Sequence, residues 1–362
     1  MQAAGLEGCL SETGSESCMD GVGLDGANAV AVSPDGKHVY VASGNSDAVA
    51  VLARDKTTGT LTQLAGLDGC VSETGAGPCT SGNGLDGANA VAVSPDGKHV
   101  YVASGNSDAV AVLARDKTTG ALSQDLGLNG CVRDNGGLGD CADGKALDVP
   151  SDVAVSPDGK HVYVASVLSD AVAVFTRNKT TGVLTQLAGL DGCISDDGSG
   201  GTCANGKALF NARRVAVSSD GKHVYVAALN GGVAVFARNK TSGKLTQLAG
   251  LNGCVSDTGS GGECADGKEL LGPFDIALSR DGKHVYVASL SNAVAVFARD
   301  KTTGTLAQLS GSDGCISETG SGGECVDGKI LSGATLALSK DGKHVYVASG
   351  PSDAMAVLKR QK

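Results

Sequence analysis

A ten-residue phrase occurs six times in this chain and constrains its fold more than any other feature. The phrase reads S-x-D-G-K-H-V-Y-V-A, and every histidine and every tyrosine of the protein lies inside a copy of it. The histidines stand at positions 38, 99, 161, 223, 284 and 344, so the repeat is 60 to 62 residues long. Repetition at a fixed period predicts a chain built from six copies of one supersecondary unit.

Each repeat has the pattern of four short strands joined by tight turns. In the first repeat, residues 29–33 and 38–42 alternate small and large side chains, and the Pro-Asp-Gly-Lys between them is typical of a hairpin. Residues 48–54 and 61–65 provide the third and fourth strands. Four antiparallel strands per repeat predict an all-β, six-bladed β-propeller. The approximate blades are 27–66, 88–127, 150–189, 212–250, 273–311 and 334–362 plus 1–5.

The two ends of the chain favour a closed propeller over an open solenoid. The sixth repeat stops after its third strand, at residues 354–360, whereas residues 2–9 match residues 63–70, which run from the end of a fourth strand to the first cysteine of a loop. We therefore expect the N-terminal segment to supply the outer strand of the last blade, which would remove two unpaired sheet edges. Residues 1–362 are then one propeller domain.

Composition agrees with this fold and argues against two kinds of partner. The chain has 55 glycines, no tryptophan, 5 phenylalanines and 6 tyrosines, as expected for short strands of small residues with many turns. Its net charge of −10 argues against nucleic-acid binding, which needs a basic face. No segment approaches the roughly 20 apolar residues of a membrane span. We expect a monomer.

Twelve cysteines fall into six close pairs, each bracketing a loop between one repeat's fourth strand and the next repeat's first. A zinc site would need C-x-x-C spacing or a nearby histidine, and these loops have neither. We therefore predict a disulfide within each loop, which indicates an oxidising compartment and a secreted or periplasmic protein, although no signal peptide precedes Gln2. The pairs are Cys9–Cys18, Cys70–Cys79, Cys131–Cys141, Cys193–Cys203, Cys254–Cys264 and Cys315–Cys325.

Two phrases carry a resemblance to a known family. S-P-D-G-K-H-V-Y-V-A-S at 33–43 resembles the YVTN-type propeller repeat. D-K-T-T-G-x-L-T-Q at 55–63 resembles the outer hairpin of lactonase-like propeller proteins, which include 6-phosphogluconolactonase-like sequences. The resemblance covers all six repeats and implies a propeller fold, with either lactone hydrolysis or a binding role. Better-known members resemble seven-bladed propellers, whereas this chain has six repeats and inserted cysteine loops.

The repeated polar residues are interpreted as structural. Neighbouring histidines of a six-fold ring would stand about 10 Å or more apart, too far to share a metal ion. We expect the tyrosines to pack between blades. The arginines at 54, 115, 177, 238, 299 and 360 are expected to face solvent or to pair with a nearby aspartate.

Departures from the repeat locate a candidate site. The hairpins are nearly the same in every repeat, whereas the face that carries the cysteine loops varies. Two positions before each first strand are predicted to form two rings at a channel mouth. One ring is Asn28, Asn89, Ser151, Arg213, Phe274 and Ala334, and the other is Ala29, Ala90, Asp152, Arg214, Asp275 and Thr335. The loops after the second strands add Asn45, Asp47, Asn106, Asp108, Asp170, Asn230, Asn292 and Asp353.

Seven of these residues form the candidate ligand site: Asn28, Asn89, Asp152, Arg213, Arg214, Phe274 and Asp275. Oxygens of Asn28, Asn89, Asp152 and Asp275 could hold Ca²⁺ or another divalent cation, as in the propeller gluconolactonases and paraoxonases, to which the set is loosely similar. Either arginine could bind a carboxylate or phosphate. Alternatively, Asn and Asp at strand starts satisfy the backbone of their own turns.

Three functions remain open at this point. The first is a binding or interaction module for a small molecule, glycan or protein, favoured because no nucleophile–base pair is recognisable. The second is a lactonase-like hydrolase that uses a divalent cation. The third is a lectin, whose sugar site would depend on Phe210 and Phe274, the two phenylalanines that the repeat does not explain.

Overall fold

The structure is a computed structural model that describes residues 8–14, 18–75, 77–134 and 139–360, without the side chain of Ala334. It confirms the predicted fold class: six small sheets, one per repeat, form a six-bladed β-propeller. Among the described residues, no helix is long and apolar enough to cross a membrane. The predicted closing strand at 1–5 lies outside the described residues.

The chain divides into two compact units. Unit 1 comprises Met1–Ser166 and Phe175–Gln186, and unit 2 comprises Val167–Val174 and Leu187–Lys362. The first two repeats belong to unit 1, the last three belong to unit 2, and the third contributes strands to both. A single domain over 1–362 stays a prediction.

The first repeat shows how each blade is built. Its elements are β1 (Leu10–Ser11), β2 (Met19–Asp20), β3 (Ala27–Val32), β4 (His38–Ser43), β5 (Ala48–Arg54), β6 (Leu61–Gln63), β7 (Cys70–Ser72) and β8 (Thr80–Ser81). β3, β4 and β5 are antiparallel neighbours, β6 and β7 both pair with β5, and β8 runs parallel to β7. β1 and β2 form a separate parallel pair.

The later repeats follow the same order. The second and third contain β9 (Ala88–Val93), β10 (His99–Ser104), β11 (Ala109–Arg115), β12 (Leu122–Gln124), β13 (Cys131–Asp134), β14 (Ala142–Gly144), β15 (Pro150–Val155), β16 (His161–Ser166), β17 (Ala171–Arg177), β18 (Leu184–Gln186), β19 (Cys193–Ser195) and β20 (Ala204–Asn205). The fourth and fifth contain β21 (Ala212–Val217), β22 (His223–Ala228), β23 (Gly232–Arg238), β24 (Leu245–Gln247), β25 (Cys254–Ser256), β26 (Ala265–Asp266), β27 (Pro273–Leu278), β28 (His284–Ser289), β29 (Ala293–Arg299), β30 (Leu306–Gln308), β31 (Cys315–Ser317) and β32 (Val326–Asp327). The sixth contains β33 (Ala334–Leu338), β34 (His344–Ser349) and β35 (Ala354–Lys359).

The fourth strand differs from the single segment expected at 61–65. It is split into β6, which pairs with Leu52–Arg54, and β7, which pairs with Ala48–Ala50. A short 3-10 turn at Gly66–Gly69 joins the two pieces. Together they cover the outer edge of β5 along both halves, so that edge is not left unpaired.

All six predicted disulfides are present, and the described chain contains no free cysteine. In the second cysteine loop, Cys70 begins β7 and Cys79 directly precedes β8. Each loop is further held by an acid whose carboxylate accepts a backbone N–H at its end, as Glu73 does from Leu85 at 2.5 Å. The loops are therefore built parts of the blades.

The apolar core lies between successive sheets. In unit 1, Tyr40, Val49 and Val51 of the first repeat pack against Val100 and Leu113 of the second, and all five are buried. In unit 2 the fourth and fifth repeats pack in the same way. Because both faces of an inner sheet are covered, the second and third strands are nearly continuous runs of Val, Ala and Tyr.

A buried arginine joins each of several repeats to the repeat before it. Arg299 of β29 donates to the Asp220 carboxylate at 3.1 Å and to the Tyr225 hydroxyl at 2.7 Å, both in the fourth repeat. Its Nη2 also lies 2.7 Å from His223 Nδ1. Arg115 and Arg177 make the same contacts to the preceding repeat, with Asp35 and Asp96, and the half-buried Arg360 pairs with Asp281 and His284. The arginines were expected either to face solvent or to pair with aspartate, and these four pair.

Four of the histidines, at 38, 99, 223 and 284, contact these arginines, which agrees with the structural role expected for them. His99 is buried on β10, and its Nδ1 lies 2.6 Å from Arg177 Nη2. Burial and the Arg177 charge lower the pKa of His99 to about 4, so the ring is neutral at pH 7. Its Nδ1 can therefore accept a hydrogen bond from the Arg177 guanidinium. Five of the six tyrosines are buried, and Tyr40 and Tyr225 lie in the cores between successive sheets, as predicted.

Replacing Arg299 with leucine should destabilise the protein by about 3 kcal/mol, because Asp220 and Tyr225 would lose their buried partner. Urea unfolding of wild-type and variant protein measures the loss. Arg280→Leu is the matched control, since Arg280 is an exposed hairpin residue, and it should change stability by no more than about 0.5 kcal/mol. Equal losses in both variants would contradict a special role for Arg299.

Acid should remove stability over a defined pH range. Burial opposes ionisation of Asp220, but its bonds from the Ser218 hydroxyl, the Lys222 N–H and Arg299 lower its pKa to about 2. An acid whose pKa is lower in the folded protein stabilises it fully above the unfolded pKa of about 3.9, and this contribution is lost as the pH falls through the folded value. Unfolding free energy measured between pH 6 and pH 2 should therefore drop less steeply for Asp220→Asn than for wild type. Parallel curves would refute the assignment.

Candidate active site

A β-bulge opens the first strand in each of the first five repeats, and it places the residues of the first predicted ring. The pairing of β21 with β22 shifts between Ala212 and Arg214, which leaves Arg213 as the extra residue. The same shift occurs around Asn28, Asn89, Ser151 and Phe274. Bulges redirect a side chain and are frequent beside functional sites. The sixth repeat has no bulge, since Ala334 and Thr335 pair with successive residues of β34.

The six residues of the second predicted ring occupy equivalent strand positions, because each has the same pairing register with the second strand of its repeat. Asp152, Arg214 and Asp275 each pair with an alanine of the second strand, as do Ala29, Ala90 and Thr335. One strand position therefore carries an acid, a base or a small residue, depending on the repeat.

In unit 1 the bulge asparagines bond to the backbone. The Asn28 amide donates to the Ala88 carbonyl at 3.4 Å, and the Asn89 amide donates to the Pro150 carbonyl at 3.2 Å. Each asparagine therefore connects its repeat to the first strand of the next. Asp152 is half-buried on β15, next to Ser151, whose hydroxyl donates to the Ala165 carbonyl.

In unit 2 the structure brings four predicted residues together. The Arg213 guanidinium lies over the Phe274 ring, 3.9 Å from its centroid, in a cation–π contact. Arg214 Nε lies 3.7 Å from Asp275 Oδ1, and both side chains are mostly buried. Neighbouring bulges thus place two guanidinium groups, one aromatic ring and one carboxylate in a single cluster, which we call the Arg–Asp cluster.

Asp275 is the chemically distinctive member of this cluster. Its Oδ2 accepts the Leu336 N–H at 2.6 Å and its Oδ1 accepts its neighbour Ile276 N–H at 2.8 Å. Burial raises the pKa of the Asp275 carboxyl, even though the Leu336 N–H and Arg214 favour its charged form. Each carboxylate oxygen keeps a further acceptor position. A carboxylate of raised pKa can take a proton from water near neutral pH.

The contacts of Asp275 argue against its predicted role as a cation ligand. Within the described ranges, no three His, Cys, Asp or Glu side chains are placed to share an ion. Asp275 already accepts two N–H groups and faces Arg214, whose positive charge would repel a cation. The geometry of Asp275 therefore does not fit a divalent ion. Binding at Asn28, Asn89 and Asp152 stays a prediction.

Several aspartates of the loops after the second strands are structural. Asp47 Oδ1 accepts the Gly87 N–H at 2.8 Å, Asp108 Oδ1 accepts the Val149 N–H at 2.9 Å and Asp170 Oδ1 accepts the Asn211 N–H at 2.7 Å. The donor belongs to the loop leading into the next repeat in each case. These side chains therefore satisfy backbone N–H groups of the turns, as the alternative interpretation expected.

Sequence reasoning missed the bulges and the contribution of the sixth repeat. Leu336 N–H holds the Asp275 carboxylate across two repeats, and no side-chain pattern reports a backbone donor. One signal was available for the bulge. The fifth repeat has four residues between the buried Leu270 and Asp275, whereas the sixth has three between Leu331 and Thr335.

The six repeated blades define a β-propeller protein. Its sequence matches the family described as lactonase, 7-bladed β-propeller, over residues 21–127, 142–190 and 263–362, more than half of the chain. The chain belongs to this family, although it has six repeats rather than seven. No functionally curated protein matches it in sequence.

Solved structures agree with the fold. A 6-phosphogluconolactonase candidate from Bacteroides uniformis superposes with a TM-score of 0.59 and 22% identity, covering 92% of this chain and 81% of that one. A second candidate, from Bacteroides fragilis, gives 0.58 and 22%, with 92% and 80% covered. The periplasmic gluconolactonase of Pseudomonas aeruginosa gives 0.50 and 23%, with 77% and 68% covered. At these identities the likeness shows the fold alone.

Proposed function

We propose that the protein hydrolyses the ester bond of a lactone at the Arg–Asp cluster. The observation that carries the proposal is Asp275, a mostly buried carboxylate of raised pKa beside Arg214, on a strand position where three of the other repeats have alanine or threonine. Membership of the lactonase propeller family supports it, as do the neighbours described as gluconolactonases or as candidates for that activity. This ranks the hydrolase above a pure binding module.

The proposed reaction needs a base and a site for negative charge. Asp275 would accept a proton from water while the water oxygen forms a bond to the lactone carbonyl carbon. The tetrahedral intermediate then expels the ring oxygen, which receives the proton back from Asp275, and the product is the open hydroxy acid. Arg214, next to Asp275, is placed to stabilise the developing oxyanion.

Charge in the cluster indicates the substrate class. The four side chains of the cluster include two guanidinium groups and one carboxylate, so basic groups outnumber acidic ones there. Guanidinium groups suit phosphate and carboxylate ligands better than neutral ones. We therefore favour a sugar lactone that carries an anionic group.

The disulfides bear on where the protein works. Six disulfides persist only where the surroundings are oxidising, so we propose a secreted or periplasmic location. The periplasmic gluconolactonase among the structural neighbours agrees with this proposal.

Replacing Asp275 with asparagine should lower kcat/KM for lactone hydrolysis by about 10²- to 10⁴-fold, because the general base is lost while the shape is kept. The assay follows acid release from gluconolactone and its 6-phosphate, corrected for spontaneous opening. Asp313→Asn, the same change at an exposed acid, is the control and should leave the rate unchanged. If wild type opens neither lactone faster than buffer, or if Asp275→Asn keeps full activity and the wild-type thermal midpoint, the proposal is wrong.

The pH profile should carry the signature of the same carboxyl. Asp275 must be ionised to act as a base, so activity should decline as the pH falls through its pKa, which burial raises above the ordinary aspartate value. The acid limb of kcat/KM should therefore lie above about pH 4. A flat profile down to pH 4 would argue against Asp275 as the base.

Metal removal separates this mechanism from the cation-dependent alternative. Protein stripped with EDTA should keep its lactone hydrolysis, since the base and both arginines belong to the chain. Loss of activity that Ca²⁺, Mg²⁺, Mn²⁺ or Zn²⁺ restores would instead favour a cation site that includes Asn28, Asn89 or Asp152.

A further inference from the structure

The fourth repeat contains a second candidate site, formed by different residues. A cavity of about 250 Å³ lies between two cysteine loops and the loop after β22. Its polar walls come from Asp196, Lys207, Asn230, Ser260 and Glu263, and Phe210 contributes an aromatic wall. We call it the Phe210 pocket.

Phe210 is unusual among the phenylalanines. Phe175, Phe236 and Phe297 are fully buried, and Phe274 lies against Arg213, whereas Phe210 is 48% exposed. The residue after the buried leucine at this position is aspartate in the first three repeats. An exposed ring that the packing of the repeat does not require offers an apolar surface to a ligand.

The neighbouring loop departs from the pattern as well. From His223 to Arg238 the fourth repeat is one residue shorter than the third repeat from His161 to Arg177. Gly231 passes so close to Ala208 that a Cβ there would lie 2.6 Å from the Ala208 carbonyl carbon. Only glycine fits this approach.

These two changes leave the Asn230 amide available. In the second repeat, the Asn106 amide donates to the Asp86 carboxylate at 3.0 Å, and Phe210 occupies the position of Asp86. Asn230 is exposed, and its side chain makes no hydrogen bond within the described part of the chain. The exposed ring and this amide border the same cavity.

We infer that the Phe210 pocket binds one neutral monosaccharide unit. The ring of Phe210 matches the apolar C–H face of a pyranose, while the Asn230 amide and the Asp196 and Glu263 carboxylates match its hydroxyl groups. Lys207 Nζ lies 3.8 Å from Glu263, so two carboxylates and one ammonium group give a net charge of −1. This charge disfavours an anionic ligand, and the volume holds one sugar ring.

The test is saturation-transfer NMR with glucose, galactose, mannose and N-acetylglucosamine at millimolar concentration. At least one sugar should receive saturation from the wild-type protein, and titration should show Phe210→Ala weakening its affinity at least 10-fold. Asn230→Ala should weaken it about 3- to 10-fold. Leu271→Ala is the matched control, because Leu271 is the exposed residue at the equivalent position of the fifth repeat, and it should change affinity less than 2-fold.

Two results would overturn the inference. One is that none of the four sugars receives saturation from the wild type. The other is that Phe210→Ala, with an unchanged thermal midpoint, binds the sugar as tightly as Leu271→Ala. Because Phe210 is exposed, its removal should not unfold the repeat, so a loss of binding reports on the pocket.

Discussion

The order of the blades depends on one contact between neighbouring repeats. An arginine of one repeat places its guanidinium group in the hairpin of the repeat before it. A buried positive charge is tolerated only when charge and hydrogen bonds satisfy it. Arg177 receives both from Asp96, His99 and Tyr101 of the preceding repeat, and a further hydrogen bond goes to the Gly159 carbonyl of its own repeat. The phrase S-x-D-G-K-H-V-Y therefore acts as a single receptor for an arginine. The serine positions the aspartate, the glycine closes the turn, and histidine and tyrosine complete the acceptor set.

This requirement helps to explain why the hairpins vary less between repeats than the opposite ends of the strands. Where the contact is described, a change in the hairpin would leave the next repeat's arginine without its partner, which favours the same residues in each copy. At the bulges and cysteine loops, repeats are joined chiefly through backbone groups, as in the Asp108 bond to the Val149 N–H. Backbone contacts accept many side chains nearby. The bulge position can therefore hold an asparagine that bonds to the next repeat's backbone, or an arginine that lies over the next repeat's phenylalanine, as Arg213 does with Phe274.

Most of the fold could be predicted from the sequence, since alternation and turns are local properties. The third strand was expected at 48–54 and is Ala48–Arg54, and all six disulfides agree with the cysteine spacing. The split of the fourth strand could not be predicted, because it depends on how a Gly-rich loop returns to the edge of β5. The sequence also could not decide whether the repeated arginines face solvent or pair with an aspartate, because this depends on how deeply each arginine is buried. For the site, the alignment found Arg214 and Asp275, but their contact requires two bulges in register.

The Arg–Asp cluster raises the question of whether Asp275 stabilises the blade or takes part in a reaction. The position of Asp275 holds alanine in the first two repeats and threonine in the sixth, so a blade does not need an acid there. Burial raises the pKa of Asp275, which means that its ionised form destabilises the folded protein above that pKa relative to an ordinary carboxylate. The Leu336 N–H and Arg214 give this carboxylate structural partners, but the alanines and the threonine at the same position show that a blade forms without such contacts. Titratable groups with shifted pKa values concentrate at reactive sites. The proposed proton transfer would account for an acid held at this depth, because a general base that works near neutral pH needs a raised pKa.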